Sequence, residues 1–251
     1  MHFLLCNDDG IRSHGLIELA EAVSEIGKVI VFAPDRERSA CSSAMTLKKE
    51  LKVRKAKDFP VACEAYSVCG GYPVDCAKTG IFFMQEIRKL KIRCVISGIN
   101  KGENTGIDIR YSGTVGAAFD GLDKDLISIA VSLASYEPSE HGFKRAARFT
   151  RDYLADHLDI ISKSEYRNFL YNINYPDMPD VKEIVYTRPA HFSYREVYHH
   201  KGEDDDFTLM LEGERVHEAE GKMKTDLEVV ERGKVSISLL RPEFIHEIPI
   251  F

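Results

Sequence analysis

The sequence predicts an α/β fold, a mostly parallel sheet with helices on both faces. Two observations carry that reading. Short unbroken apolar runs alternate with segments whose apolar residues recur at helical spacing. Each run ends in turn-forming or small polar residues, the pattern of strands buried on both faces by crossover helices.

Taken in order, Phe3-Leu4-Leu5-Cys6 is the first strand and Asn7-Asp8-Asp9-Gly10 the turn that closes it. Leu16, Leu19, Ala20, Val23 and Ile26 then keep helical spacing up to Gly27, a helix stop. Val29 to Ala33 is the second strand, ended by Pro34-Asp35. The helical period returns through Val74, Ala77, Ile81, Met84, Ile87 and Leu90, and Cys94-Val95-Ile96 is a strand ending at Ser97-Gly98. Val115, Ala118, Phe119 and Leu122 predict a helix, Ile129 to Leu133 a strand, and Phe143 to about Ile161 a long helix. Beyond it the texture changes. Phe169 to Tyr175, Ile184 to Tyr186 and Val235 to Leu240 read as strands, whereas 191–233 is charged and poorly periodic, with Glu203-Asp204-Asp205-Asp206 a solvated loop. We therefore expect a single domain over 1–251, with a core to about residue 165 and a strand-rich extension from about 166, an arm suited to packing on another subunit.

Composition bounds the function. The 251 residues are 44% hydrophobic and 29% charged, which excludes a disordered or fibrous chain. Lys and Arg number 34 against 40 Asp and Glu, a net charge of −6, so there is no chain-wide basic surface for a nucleic-acid duplex. No apolar run approaches the ~20 residues of a membrane span. Acidic Asp8 and Asp9 follow the apolar start at once, which does not fit a signal peptide, and the expectation is cytoplasmic. The six cysteines form no CxxC pair and read as buried thiols.

In open parallel sheets ligands bind beyond the carboxyl ends of the strands. Those ends deliver Asn7-Asp8-Asp9-Gly10, then Pro34-Asp35-Arg36-Glu37-Arg38-Ser39, then Ser97-Gly98-Ile99-Asn100-Lys101-Gly102-Glu103-Asn104. Adjacent carboxylates repel unless a cation is present. Asp8 and Asp9, a Ser39 hydroxyl and an Asn100 amide oxygen make a donor set for a hard ion such as Mg²⁺ or Mn²⁺. The other reading of the pair is that Asp8 caps the next helix and Asp9 is solvated. Tyr111-Ser112-Gly113-Thr114-Val115 is either an ordinary capped helix start or an anion site, with Ser112 or Thr114 as the cap and Gly113 giving access to backbone N–H groups. Lys101 and Arg110 flank these loops, as contacts to a second phosphate or as surface charge.

These segments together resemble the SurE (survival protein E) family of metal-dependent 5′-nucleotidases. The resemblance rests on Asn7-Asp8-Asp9-Gly10 with Gly15, Ala33-Pro34-Asp35-Arg36-Glu37-Arg38-Ser39, Gly71-Tyr72-Pro73-Val74-Asp75-Cys76, Ser97 to Asn104 and Tyr111-Ser112-Gly113-Thr114-Val115. It continues through Asn172-Ile173-Asn174-Tyr175-Pro176, Thr225-Asp226 and Gly233-Lys234-Val235-Ser236-Ile237. It implies a Rossmann-like core, C-terminal segments exchanged between subunits of a homodimer or homotetramer, and one divalent cation per subunit on Asp8, Asp9, Ser39 and Asn100. It also implies phosphate contacts at Asn104, Ser112, Gly113 and Thr114. The expected reaction is hydrolysis of nucleoside 5′-monophosphates to nucleoside and phosphate, extending to 3′-nucleotides and short polyphosphate. Asp8 and Asp9 are the catalytic candidates, one accepting a proton from water; direct attack by Asp8 is the alternative. A departure is Ala40-Cys41, where the family commonly has Gly-Ala. Rivals lack their signatures. The Val95 strand ends in Ser97-Gly98 rather than a receiver's phosphoacceptor aspartate, and neither GxGxxG nor GxSxG follows a strand. A metal-nucleotide sensor without activity would have to keep every expected ligand.

Overall fold

The computed structural model describes residues 1–181, 183–203, 206–217 and 224–241. In chain order the elements are β1 (His2–Cys6), α1 (His14–Ser24), β2 (Lys28–Pro34), β3 (Lys52–Lys55), β4 (Glu64–Cys69), α2 (Pro73–Phe82), β5 (Ile92–Lys101), α3 (Gly113–Leu122), β6 (Ile127–Ala134), α4 (Gly142–Ile161), α5 (Ser164–Arg167), β7 (Leu170–Pro176), β8 (Ile184–Thr187), β9 (Phe192–Glu203), β10 (Asp206–His217), α6 (Asp226–Glu231) and β11 (Val235–Leu240).

Nine strands form one sheet in the order β3-β4-β2-β1-β5-β6-β7-β11-β8. From β4 to β7 every pairing is parallel. β3 and β11 add antiparallel partners at β4 and β7, and β8 runs parallel to β11. The strand period of two sorts β1 between the faces. Phe3 and Leu5 join Leu16, Leu19 and Val23 of α1 and Leu154 and Leu158 of α4 in one core. Leu4 and Cys6 join Cys76, Ala77 and Ile81 of α2 in the other. From β1 the chain runs outward to β4, then returns to β5 on the far side of β1. That reversal is the topological switch point, where the carboxyl ends of β1 and β5 frame a crevice.

Several elements differ from the sequence reading. The helical period toward Leu90 is broken, because α2 ends at Phe82 and Phe83–Ile87 is a π-helical turn. β5 does not stop at Gly98 but runs on to Lys101, with a register shift against β6 between Ser97 and Asn100. Gly98 makes that irregularity possible: its φ is +141°, and a β-carbon there would lie 2.3 Å from the Val131 carbonyl oxygen. Among the described residues, the charged stretch after residue 191 holds two paired strands. β9 and β10 pair antiparallel from Phe192↔His217 to Glu203↔Asp206; the solvated loop expected over 203–206 falls on 204 and 205, which lie outside the described residues. Cys6, Cys76 and Cys94 are buried thiols, and Cys41, Cys63 and Cys69 are partly buried. No described helix is long and apolar enough to cross a membrane.

Candidate active site

The turn after β1 is closed by Asn7, whose Nδ2 donates to the Gly10 carbonyl at 3.0 Å and to Ser13 Oγ at 2.7 Å. Asp8, 5% exposed, projects from this turn toward α3. Thr114 Oγ1 donates to its Oδ1 at 2.5 Å and the Thr114 N–H to its Oδ2 at 3.2 Å. Asp8 therefore does bond a helix start, but that of α3, far along the chain, rather than the helix that follows it. Asp9 is not simply solvated: its Oδ2 accepts the Lys101 N–H at 3.2 Å, across the switch point. Burial, then the neighbouring Asp8 charge, with a further contribution from Glu37, pushes Asp9 up to about 7. Burial also raises Asp8 above the ordinary carboxylate range.

The loop after β2 lies against this turn, with the Arg38 N–H donating to the Asp8 carbonyl at 2.7 Å. Ser39 is exposed here, and its hydroxyl donates to Glu37 Oε1 at 2.5 Å. With that hydrogen committed, the Ser39 oxygen is left as an acceptor. Asn100 Nδ2 donates to the Gly102 carbonyl at 2.8 Å, which leaves its Oδ1 as the donor atom for a cation. The structure thus brings Asp8, Asp9 and Asn100 to the switch point, with Ser39 on the adjoining loop and turned toward Glu37.

The set is mixed, two carboxylates with an amide and a hydroxyl oxygen. Among the described residues no group of three or more His, Cys, Asp or Glu is arranged to hold a metal. Oxygen donors of this kind suit a hard divalent cation, and carboxylates raised by burial and by neighbouring carboxylates are those a cation would relieve.

At the start of α3, Ser112 is the N-cap and its Oγ accepts the Val115 N–H at 3.1 Å. The Ser112 hydroxyl hydrogen remains for an anion. Thr114 is committed to Asp8, and Gly113, first in the helix, has no acceptor within it. A β-carbon on Gly113 would lie 2.7 Å from Cys41 Sγ and 3.0 Å from both Asp8 Cβ and Pro73 Cγ, so only glycine leaves this space open. We expect Gly113→Ala to destabilise by about 1–3 kcal/mol through overpacking. It should also lower phosphate release, with partial recovery when Cys41→Ala is added; thermal unfolding and a phosphate assay of the single and double variants check this. Asn104 stands apart from these groups. Its Nδ2 donates to Ser132 Oγ and its N–H to Asn174 Oδ1, both at 2.8 Å, in a buried network.

Residues 3–196 match the family model described as Survival protein SurE. The chain is 35% identical over 253 residues to a protein of Dehalococcoides mccartyi named 5′-nucleotidase SurE, an alignment covering 100% of this chain and 92% of the relative. The chain belongs to the SurE family. A Clostridium botulinum protein of the same name is 34% identical over 97% of this chain and 94% of its own. The crystal structure of SurE protein from Aquifex aeolicus superposes with a TM-score of 0.81 at 31% identity, covering 98% of this chain and 95% of that one.

The later SurE motifs have a physical role that spacing alone did not reveal. Asn172 and Asn174, two apart on β7, share one face, and their Nδ2 groups both donate to the Asn104 carbonyl, at 2.8 and 3.1 Å. Asp226 holds the same loop from the other side, accepting the Gly106 N–H at 2.9 Å and the Ala190 N–H at 2.8 Å. These residues fix the chain that follows Asn100. Asp75 does likewise for α2, accepting the Tyr72 N–H at 2.9 Å and bonding the Thr46 N–H and hydroxyl at 2.8 Å. Glu37 is the site residue the sequence reading passed over; its signal was a third carboxylate two positions before Ser39.

Proposed function

We propose that this SurE chain is a metal-dependent 5′-nucleotidase that hydrolyses nucleoside 5′-monophosphates to nucleoside and phosphate in the cytoplasm. The observation that carries the reading is an aspartate pair at the sheet's switch point, Asp8 buried and Asp9 half-buried, facing a helix start with an open N–H, in a chain that aligns end to end with proteins named 5′-nucleotidase SurE. Asp8, Asp9, Ser39 and Asn100 would hold one divalent cation per subunit, Mg²⁺ or Mn²⁺. When bound, that ion supplies Lewis acidity at a phosphoryl oxygen and acidifies a nearby water.

The remaining chemistry belongs to the chain. The Gly113 N–H and the Ser112 hydroxyl donate to phosphoryl oxygens, where negative charge develops. Both oxygens of Asp8 are tied to Thr114, which restrains it from acting as the attacking nucleophile. Asp9 has its Oδ2 on Lys101 and its other oxygen available, so it is the acceptor for the proton of the attacking water. Lys101 and Arg110 are exposed at the rim, where they reach a second phosphate or a polyphosphate chain. The test is phosphate release from nucleoside 5′- and 3′-monophosphates and short polyphosphate, with Mn²⁺, Mg²⁺ or EDTA. A chain that turns over none of them with either ion would sink this reading.

The reading includes a homodimer or homotetramer joined through the β9–β10 hairpin. Tyr198, Leu211, Leu209 and Phe207 share one face of the hairpin and are 55%, 57%, 54% and 50% exposed. That face is a contiguous apolar surface of the sort subunit contacts cover. Leu209→Glu with Leu211→Glu is expected to reduce the assembly to a smaller species in sedimentation-velocity runs; a wild-type chain that sediments as a monomer contradicts it.

A further inference from the structure

Arg38 is a cationic side chain beside the aspartate pair whose bonding is out of keeping with its burial. Its side chain is 15% exposed. Its Nε is shielded from solvent and has no hydrogen-bond partner. The carboxylate facing it, Asp35 Oδ1, stands 3.9 Å from Nη2, beyond hydrogen-bond reach, and that oxygen already accepts the Gly70 N–H at 3.1 Å. A shielded N–H on a cation ordinarily finds an acceptor, because leaving it unmade costs more than an average hydrogen bond contributes.

What holds the guanidinium is a platform rather than a partner. It lies over the Tyr72 ring at 5.3 Å from the centroid, which fixes its plane. Tyr72 precedes Pro73, whose Cγ borders the space beside Gly113. The backbone of Arg38 is bonded to Asp8. An under-bonded guanidinium and a helix-start N–H thus lie beside the space in front of Asp8, in a site where Asp8, Asp9 and Glu37 are acidic and the cations Lys101 and Arg110 are exposed at the rim.

We propose that Arg38 is a phosphate-binding residue whose guanidinium receives the phosphoryl oxygens of the substrate and of product phosphate. The proposal rests on the nucleotidase reading above and adds to it a cationic contact. The planar fork matches two phosphoryl oxygens at once, which an ammonium cannot do. It also offsets the repulsion that three carboxylates exert on a dianion.

The test uses the full chain loaded with Mn²⁺ and inorganic phosphate as the probe, in calorimetric titration and as an inhibitor of AMP hydrolysis. Arg38→Gln is expected to weaken phosphate binding about 10- to 100-fold and to raise KM for AMP more than it lowers kcat, with Mn²⁺ affinity unchanged. Arg38→Lys, which keeps the charge and loses the fork, should recover part of that loss. Phosphate affinity unchanged in Arg38→Lys and in any folded Arg38→Gln protein, with only thermal stability lowered, would show a structural arginine and overturn the proposal. The outcomes separate cleanly. A wild-type chain that binds phosphate but releases none from AMP contradicts the nucleotidase reading, while the titration of the two variants still decides the role of Arg38.

Discussion

Asp8→Asn is expected to lower kcat/KM for nucleoside monophosphate hydrolysis by about 10³-fold while leaving the protein folded. Asparagine keeps the shape of aspartate but not its charge, and it has one acceptor oxygen where the carboxylate has two. Thr114 presents two donors to this side chain, its hydroxyl and its N–H. With asparagine, one of them must face an NH₂ group. The hydroxyl can rotate to accept, so the mismatch is absorbed locally and the helix start survives. What is lost is the charge that makes this position a cation ligand. Folding stability of the metal-free protein is expected to hold or rise, since burial already disfavours the charged form of Asp8. Steady-state kinetics with AMP and a thermal melt in EDTA check both halves. Activity within tenfold of wild type would remove Asp8 from the mechanism.

How much of this was legible in the sequence depends on how far apart the interacting groups lie. The aspartate pair could be placed at a strand end because Phe3 to Cys6 is unbroken and apolar and the turn residues follow at once. The cap at Ser112 could be read because capping is a local bond, Ser112 to Val115. The partner of Asp8 could not, since Thr114 lies 106 positions away and only the sheet order brings the two together. The same holds for Asn104, which the resemblance offered as a phosphate contact and the fold ties to Ser132, Asn172 and Asn174.

Weak elements were missed for a different reason. β3 is Lys-Val-Arg-Lys at the edge of the sheet, exposed along its length, so it has no buried face to set an alternating pattern. β9 and β10 do alternate, but apart from Phe192 most of their apolar side chains are exposed and charged residues interrupt them, so the pattern reads as a solvated stretch. Sequence periodicity reports burial, and a hairpin whose side chains are mostly exposed leaves a weaker trace of it.

Chelation is expected to abolish activity and to reveal Asp9 through the pH dependence of stability. If the cation is present at about 100 times its Kd, its removal costs about 2.7 kcal/mol, or roughly 5–10 °C in Tm for a chain of this size. In the metal-free protein Asp9 titrates near 7 rather than at its ordinary 3.8, because the fold buries it beside Asp8 and Glu37. The native state therefore holds a proton that the unfolded chain has released throughout that interval. A raised folded-state value means the contribution is fully present below about 3.8 and is lost as pH rises through 7. Metal-free wild type should accordingly lose Tm between pH 5 and pH 8 relative to Asp9→Asn, in which position 9 does not titrate. A cation at the site competes with that proton, so affinity for Mn²⁺ should climb with pH up to about 7 and level off beyond it. Calorimetric melts in EDTA and Mn²⁺ titrations across this range decide the point. Parallel Tm profiles for wild type and Asp9→Asn, with Mn²⁺ affinity independent of pH, would separate Asp9 from the cation site and leave Asp8 and Asn100 as its remaining anchors at the switch point.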